Sequence, residues 1–484
     1  MSPAPILLWF RQDLRLADHR ALAAAIAAGR PVIPVYVLDD ETPGLWKMGG
    51  ASRWWLHNSL EALASDLEGL GSRLIFKRGS SRDLIIELME ETGADSVYVS
   101  RSYEPWARAL EEDLAENLES RGWTLHRFQG ALLFEPETPK TKAGDPFRVF
   151  TPFYKACLSL GAPKPPLPRP KSSLSAPADW PGSEGLDDWG LLPRSPDWTG
   201  GLREAWQPGE AGAEARLSAF LDEAMTGYSE KRDRPDQPGT SRLSPHLHFG
   251  EISPHRCWQA VENRLAAGGG GKDANGSRSF LRELVWREFS YHLLFHWPDL
   301  PTKAFRPEFE EFPWDKDEAA IRAWQRGLTG YPIVDAGMRE LWETGWMHNR
   351  VRMITASFLI KDLLIPWQVG EKWFWDTLVD ADLASNSASW QWVAGSGADA
   401  APYFRVFNPV LQGRKFDPKG DYVRRYVPEL AKLDARHLHA PWEAPAEALK
   451  AAGITLGDTY PKPIVDHGHA RQRALQAYQT IKTR

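Results

Sequence analysis

The first third of the chain alternates between short apolar runs and segments with helical periodicity. Apolar runs at 6–10, 32–38, 73–77, 95–99 and 123–128 have the length of buried strands. Apolar residues recur at helical spacing near 18–28, 52–69, 81–92 and 105–121. Because strands that alternate with helices build parallel sheets, residues 1–130 are predicted to form an α/β domain of Rossmann-like type. No G-x-G-x-x-G motif follows the first run, so the usual dinucleotide fingerprint is missing.

The remainder of the chain shows two further patterns. Residues 131–212 are rich in Pro, Gly, Ser and Trp, which predicts a long interdomain linker. From residue 213 to 484 the apolar spacing is helical, with amphipathic segments near 213–227, 278–295, 316–327, 333–344, 348–363 and 370–379. This part is therefore predicted to be an all-helical domain.

Composition narrows the class of protein. Hydrophobic residues make up 42% and charged residues 25%, as is usual for soluble globular proteins. The first apolar run is too short for a signal peptide or a membrane span, so we expect a cytoplasmic protein with no membrane partner. Two cysteines without a CxxC pair indicate neither a zinc site nor a disulfide framework.

Charge and aromatic content point to particular ligands. The net charge is −6, yet residues 401–436 hold eight Lys and Arg against four Asp and Glu, a local +4. A local basic face binds phosphates even on an acidic protein. The chain also contains 23 tryptophans. Most belong to the core, but Trp is also a stacking platform for bases and an oxidisable side chain.

Two predicted helices carry polar and aromatic side chains where an ordinary core stripe would be aliphatic. Residues at i, i+3 and i+4 share one face of a helix. One such face holds Glu283, Trp286 and Arg287, and another holds Asn349, Arg352 and Met353. Each alone could be a salt-bridged surface, but the two together favour a polar cavity lined by helices.

Two further segments have ligand-binding character. Acids, an amide and two aromatic rings lie close together at Asp380, Asp382, Asn386, Trp390 and Trp392. No His or third carboxylate stands at metal-ligand spacing, so hydrogen bonding to a heterocycle or ribose is the better interpretation. Hydroxyls cluster in 239–245 before a predicted helix, a pattern typical of a phosphate cradle or a helix cap.

These segments, in this order, resemble the photolyase and cryptochrome family. Further matching motifs are WFRQDLR at 9–15, VFTPF at 149–153, TGYPIVDA at 329–336 and APYFRVFNP at 401–409. The resemblance extends from about residue 5 to 480, and its motifs are long and specific. It implies an N-terminal α/β domain, which carries an antenna pigment, and a C-terminal all-helical domain, which binds FAD.

The resemblance also implies where FAD binds. The residues expected at its phosphates are Thr240, Ser241, Leu243 and Ser244, with Tyr228 and Arg287 at the cavity wall. Arg352 and Asp380 match the family's ion pair beside the isoalloxazine, with Asp382 also on the flavin side. Asn386 matches the residue that faces flavin N5, and Asn349 borders the cofactor.

On the substrate side the resemblance implies a pocket for a pyrimidine dimer in DNA. The expected pocket residues are Trp286 and Trp392 as walls, Glu283 and Asn349 as hydrogen-bond partners of the bases, and Met353 beneath. Arg232 and Arg350 match residues that bind DNA phosphates. Trp390, Trp367 and Trp314 stand at the spacing of the family's electron relay, which reduces FAD from the surface.

The implied activity is light-dependent repair of cyclobutane pyrimidine dimers, by a monomer without an obligate protein partner. Ser387-Ala388-Ser389, after Asp-Ala-Asp-Leu at 380–383, resembles the bacterial class III subgroup. A blue-light-sensing cryptochrome stays an alternative, although Asn386 replaces the Asp that plant cryptochromes carry. A (6-4) photolyase is the second alternative, but its His pair is replaced by Asn349 and Met353, and a plain flavin electron carrier is the third.

The antenna pigment of this family is a folate or a deazaflavin. Folate-binding microbial members have an Asn-Glu pair near the fourth helix, where this chain has Tyr103-Glu104-Pro105-Trp106. The class III resemblance favours methenyltetrahydrofolate in a modified pocket. Glu104-Pro105 also resembles the binders of 8-hydroxy-5-deazaflavin, which stays the alternative.

Overall fold

The structure is a computed structural model, and it describes residues 3–267, 271–400 and 404–482. The first three residues of the 401–409 motif lie outside this part.

A five-stranded parallel sheet forms the N-terminal region. Its strands are β1 (Ile6–Phe10), β2 (Val32–Leu38), β3 (Ile75–Arg78), β4 (Ser96–Ser100) and β5 (Thr124–Phe128). The strand order is β3-β2-β1-β4-β5, and Ile6 of β1 pairs with Val32 on one side and Ser96 on the other. Every residue of β1 and β2 is buried, as expected for strands covered on both faces. The predicted α/β fold is confirmed.

Helices connect the strands and form the rest of the chain. Those of the first half are α1 (Arg20–Ala27), α2 (Gly50–Glu68), α3 (Ser81–Thr92), α4 (Pro105–Glu119), α5 (Phe150–Ser159), α6 (Gly200–Ala205), α7 (Glu210–Ala219), α8 (Tyr228–Lys231) and α9 (Ser244–His248). The later helices are α10 (Pro254–Ala266), α11 (Lys272–His296), α12 (Glu318–Gln325), α13 (Pro332–Thr344), α14 (Asn349–Ser357), α15 (Trp367–Thr377), α16 (Leu383–Ala394), α17 (Pro409–Phe416), α18 (Asp421–Tyr426), α19 (Ala435–Leu438), α20 (Ala446–Ala452) and α21 (His467–Lys482). The predicted all-helical C-terminal region is confirmed. In the described residues, no helix is both long enough and apolar enough to span a membrane.

The chain divides into two compact units that alternate along the sequence. Unit 1 comprises 1–226, 241–298 and 379–382, and unit 2 comprises 227–240, 299–378 and 383–484. These units are defined by which residues lie close together in space, whereas the boundaries at 130 and 212 come from the composition of the sequence. The units do not test those boundaries, which stay a prediction.

In unit 1, the loop after β1 is fastened to the segment around α9. The buried Arg15 guanidinium donates to the carbonyls of Gly250 at 2.8 Å and Gly130 at 3.2 Å. Gly250 has a φ of +66°, and a Cβ there would lie 2.1 Å from the carbonyl oxygen of Gln12. Only glycine tolerates both conditions, so this close approach explains the residue. The WFRQDLR motif therefore has a structural role in joining helical segments to the sheet.

In unit 2, the TGYPIVDA motif forms a buried turn into α13. Both oxygens of the Asp335 carboxyl accept hydrogen bonds, from Thr329 N at 2.7 Å and from the Tyr460 hydroxyl at 2.7 Å. α13 then packs closely on α14, because a Cβ at Gly337 would lie 2.4 Å from Cγ1 of Val351. This packing positions the start of α14, where several predicted site residues stand.

Candidate functional site

Unit 1 contains the predicted residues of α11. The indole of Trp286 stacks on Phe150, the first residue of α5, with ring centres 3.5 Å apart and planes 6° apart. Phe289 packs edge-on against the same indole. Since Phe150 belongs to the VFTPF motif, that motif buttresses the predicted aromatic wall. Glu283 lies half-buried one turn before Trp286.

Arg287 is held as a permanent cation beside this wall. Its Nη1 donates to the carbonyl of Ala131 at 2.9 Å, and its guanidinium lies 4.8 Å from the centre of the Tyr291 ring. Burial alone would lower the pKa of Arg287, but Tyr291, Glu288 and Asp382 together raise it. The sequence-based interpretation did not include Tyr291, although i+4 from Arg287 places it on the same helical face.

Asp382 is a buried carboxylate that stays ionised. Burial would raise its pKa, yet His248, Arg287 and Tyr291 hold it well below its usual range. The Tyr291 hydroxyl donates to Oδ2 of Asp382, and Nδ1 of His248 lies 3.6 Å from the same oxygen. The nearby Asp380 is also buried. His248 lies far from Asp382 in the sequence, so no local spacing indicated this contact.

The hydroxyl-rich segment of unit 1 is a tight turn that leads into α9. The amide of Leu243 donates to the Ser241 hydroxyl at 3.4 Å, and Arg242 has a φ of +52°. Ser244 is the first residue of α9, and its side chain is exposed. The side chain of Leu243 is buried, so only its backbone is available to a ligand.

A small crevice lies where the sheet of unit 1 switches strand order, at the carboxyl ends of β1 and β4. In open α/β sheets this is the usual ligand-binding edge. Arg11, Asp13, Tyr103 and Glu104 line it, together with Arg287 and Tyr291. These side chains leave about 20 Å³, room for a water molecule.

Unit 2 contains the predicted residues of α14. Asn349 is the first residue of this helix and is exposed, and the His348 imidazole caps the helix by accepting from Arg350 N at 3.2 Å. The Arg350 guanidinium contacts Asp233 at 2.9 Å and lies 3.7 Å from the sulfur of Met353. Asn349, Arg350 and Met353 are therefore brought together at one helix start.

Further along unit 2, two cations lie against aromatic rings. The Arg352 side chain donates from Nε to the carbonyl of Met347 at 2.7 Å, and its guanidinium lies 5.9 Å from the centre of the Trp346 ring. The Arg232 guanidinium lies 5.7 Å from the centre of the Tyr228 ring. Thr240, in the same unit, is half-buried.

α16 presents Asn386 and Trp390 against α15. Nδ2 of Asn386 donates to the backbone carbonyl of Glu371 at 3.1 Å. The Trp390 ring packs edge-on against Phe374 at 4.9 Å and lies 6.3 Å from the ring of Trp324, whose Nε1 donates to the carbonyl of Thr355. Sequence reasoning missed Glu371 and Trp324, because neither belongs to a polar run or a recognised motif.

The remaining predicted tryptophans differ in burial. Trp367, at the start of α15, is 1% exposed, whereas Trp314 is half-buried and packs against Phe312 at 4.3 Å. Trp392 is half-buried and donates from Nε1 to the carbonyl of Asp399 at 3.1 Å. Among the residues that the structure describes, no three His, Cys, Asp or Glu side chains gather as a metal site.

Comparison with known proteins places this architecture. A family model for DNA photolyase matches residues 6–171, and one for the FAD binding domain of DNA photolyase matches residues 280–480. The chain is 54% identical to the deoxyribodipyrimidine photo-lyase of Agrobacterium fabrum, covering 100% of this chain and 99% of that protein. It is 40% identical to cryptochrome-1 of Arabidopsis thaliana, covering 97% of this chain and 70% of that protein.

Solved structures agree with the sequence comparison. The crystal structure of a bacterial class III photolyase from Agrobacterium tumefaciens matches with a TM-score of 0.96 at 54% identity, over 100% of this chain and 99% of that one. A Synechocystis cryptochrome matches with a TM-score of 0.89 at 30% identity, over 99% of both chains. A parallel sheet followed by a helical FAD-binding domain defines a class of flavoprotein. The chain belongs to the photolyase and cryptochrome family, as its motifs predicted.

Proposed function

We propose that this protein is a class III-type photolyase, which uses light and FAD to split cyclobutane pyrimidine dimers in DNA. The observation that carries the proposal is the start of α14, where Asn349 is exposed beside Arg350 and Met353. An amide hydrogen-bonds pyrimidine edges, a thioether packs beneath them, and a guanidinium takes a phosphate. The acid-base His pair of a (6-4) photolyase is absent from these positions.

The residues present suit a flavin. Buried Asp380 and Asp382, the charged Arg287, and the amide of Asn386 are hydrogen-bonding groups of the kind that bind a heterocycle with ribose and phosphates attached. Thr240, Ser241, Ser244 and the backbone of Leu243 would hold the phosphates, with Tyr228 and Arg352 as further contacts. When bound and reduced, FAD supplies the photoexcited electron that opens the cyclobutane ring.

The protein's own part is to bind, orient and select. Trp286 is held rigid by Phe150, so it offers a fixed apolar wall to an extruded dimer. Trp392 would form the other wall, Glu283 and Asn349 would hydrogen-bond the bases, and Arg232 and Arg350 would bind the bent strand. Photolyases flip their target out of the stack, and a distorted lesion costs less to extrude than an intact pair.

Trp390, Trp367 and Trp314 would carry electrons from the surface to oxidised FAD. Their burial supports Trp314 as the surface end of this relay, because Trp390 and Trp367 are 2% and 1% exposed while Trp314 is half-buried. A methenyltetrahydrofolate antenna, with 8-hydroxy-5-deazaflavin as the alternative, stays a prediction, as do the monomeric state and the cytoplasmic location.

The test is repair of an oligonucleotide with one thymine dimer, using FAD-loaded, reduced protein under blue light and in darkness. We expect restoration of the two thymines in light alone. Repair in darkness, or no repair by protein whose FAD is fully reduced, would overturn the proposal. The 40% identity to a plant cryptochrome makes a light sensor the second candidate, which the failed-repair outcome would favour.

A further inference from the structure

Glu371 is a fully buried acid that the proposed chemistry leaves unused. It lies on α15, and Oε1 of its carboxyl accepts a hydrogen bond from the Ser387 hydroxyl at 2.5 Å. The other oxygen, Oε2, is buried and has no hydrogen-bond partner among the described residues. Burying an ionised carboxylate with an oxygen that lacks a hydrogen-bond partner costs much free energy, whereas burying the protonated carboxyl costs less.

Glu371 stands beside Asn386, which is assigned to the flavin, and close to Trp390, which is assigned to the electron relay. Its backbone carbonyl accepts from Nδ2 of Asn386 at 3.1 Å. The neighbouring Gly370 is pressed against Trp390, since a Cβ at Gly370 would lie 2.1 Å from Cη2 of that indole. Ser387 and Trp390 are three residues apart on α16 and so share one helical face. The carboxyl is thus part of the wall that holds both residues.

The pKa of Glu371 also favours a protonated carboxyl at this place. Burial raises the pKa of Glu371 to about 8, against the opposing effects of the Ser387 hydroxyl and of Lys372, its neighbour on α15. Lys372 is exposed, so its charge opposes the effect of burial only in part. Glu371 is therefore mainly protonated at neutral pH and loses its proton in mild alkali.

We infer that the Glu371 side chain is a positioning residue: its hydrogen bond to Ser387 fixes the face of α16 that also carries Asn386 and Trp390, and its buried carboxyl keeps negative charge out of this wall. The inference rests on the proposed function in assigning Asn386 to the flavin. A carboxylate at this place would oppose addition of electrons to FAD, because like charges repel more strongly in a buried site. Photoreduction is then expected to weaken as Glu371 ionises.

The first experiment needs no cofactor and uses Glu371→Gln, which keeps a neutral side chain of similar shape. A raised carboxyl pKa stabilises the fold fully below about pH 4.5, and that contribution is lost as pH rises through about 8. The wild-type Tm should therefore fall relative to that of Glu371→Gln between these values. The infrared difference spectrum of the two proteins should show a protonated carboxyl that titrates near pH 8. A difference spectrum without that band would overturn the inference.

The second experiment measures the flavin midpoint potential and the photoreduction rate against pH in FAD-loaded protein. The potential falls steadily with pH in any variant, because reduction of FAD takes up a proton. Wild type should show an additional fall in potential and in photoreduction rate through about pH 8, and Glu371→Gln should lack this additional fall. Ser387→Ala should move the titration upward in pH, because the Ser387 hydroxyl lowers the pKa of Glu371. The exposed Glu447→Gln on α20 is the matched control. A Glu371→Gln profile that titrates like wild type would refute the assignment.

Failure of this inference is distinct from failure of the proposed function. If the wild-type protein repairs dimers and Glu371→Gln has the same pH profile as wild type, the proposed function stands and only the role of Glu371 is refuted. A protein that shows the Glu371-dependent shift but no repair would be a light-reduced flavoprotein of another kind.

Discussion

Asn349 and its neighbours on α14 are held in different ways. Arg350 is tied to Asp233 and lies against Met353, whereas Asn349 is exposed at the helix start. An exposed amide between ordered neighbours contributes little to folding. Its proposed role is hydrogen bonding to the pyrimidine dimer, and a substitution there should affect this role without disturbing the fold.

Replacing Asn349 with Ala should weaken binding and repair of a dimer-containing oligonucleotide by roughly tenfold, the effect of about 1.4 kcal/mol from a lost hydrogen bond. FAD content and Tm should change little, because the side chain is exposed. The measurements are oligonucleotide affinity and light-driven repair. Asn263→Ala removes an exposed amide on α10 and is the control. An equal loss of FAD binding and repair would contradict the substrate role.

Replacing Trp314 with Phe should slow photoreduction of oxidised FAD by at least tenfold, because phenylalanine is much harder to oxidise than tryptophan. Repair by protein reduced chemically beforehand should be unchanged. Flash photolysis measures the photoreduction rate, and the repair assay measures repair by the chemically reduced protein. Trp198→Phe, which replaces an exposed tryptophan of the predicted linker at 131–212, should alter neither. Loss of repair in pre-reduced protein would exclude a role confined to the relay.

At the scale of elements, small residues set the distances between helices. Gly337 of α13 and Gly370 of α15 lie where a single methyl group would collide with Val351 or with the Trp390 ring. Each helix therefore packs closely on its neighbour because glycine has no side chain at the point of contact. The positions of Asn349 and Trp390 depend on these contacts.

Replacing Gly337 with Ala should lower the free energy of unfolding by about 1–3 kcal/mol, the usual cost of overpacking a tight interface. Thermal and urea unfolding check this. Gly182→Ala is the matched control, because a Cβ there meets nothing within 4 Å and its φ is ordinary. A Gly337→Ala protein as stable as wild type would show that α14 can shift without cost.

Periodicity predicted the elements well and their long-range partners poorly. The five strands and the helices between them follow from alternating apolar runs, since each pattern is local. Trp286 and Arg287 were found because i, i+3 and i+4 place them on one face. The stacking of Trp286 on Phe150, the His248 contact with Asp382 and the burial of Glu371 involve residues distant in sequence, and no local spacing encodes them.

At the scale of the whole molecule, buried acids make stability depend on pH. Glu288 in unit 1 is buried, and its carboxyl accepts from the amides of Leu133 at 2.9 Å and Phe134 at 3.1 Å. Burial raises the pKa of Glu288 to about 7, although Arg287 and these two amides oppose the shift. A raised carboxyl pKa stabilises the fold below about pH 4.5, and that stabilisation is lost as pH rises through 7.

Replacing Glu288 with Gln should therefore flatten the fall in stability between about pH 4.5 and 7, a change of about 3 kcal/mol across this window. Unfolding free energies measured at several pH values check the prediction. Glu262→Gln, on the exposed side of α10, should retain the wild-type slope. An unchanged slope in Glu288→Gln would mean that burial does not raise the pKa of this carboxyl in the folded protein.

The alternation of the two units along the chain has a consequence for biosynthesis. Unit 1 includes residues 379–382, so the ribosome must make about four fifths of the 484 residues before that unit has all of its parts. The sheet can form early, because its strands lie within the first 128 residues. Asp380 and Asp382, which we propose bind FAD, join this unit only much later. A nascent chain therefore passes through a long interval in which its sheet is folded and its aspartates are missing, and this interval is when it most needs protection from aggregation.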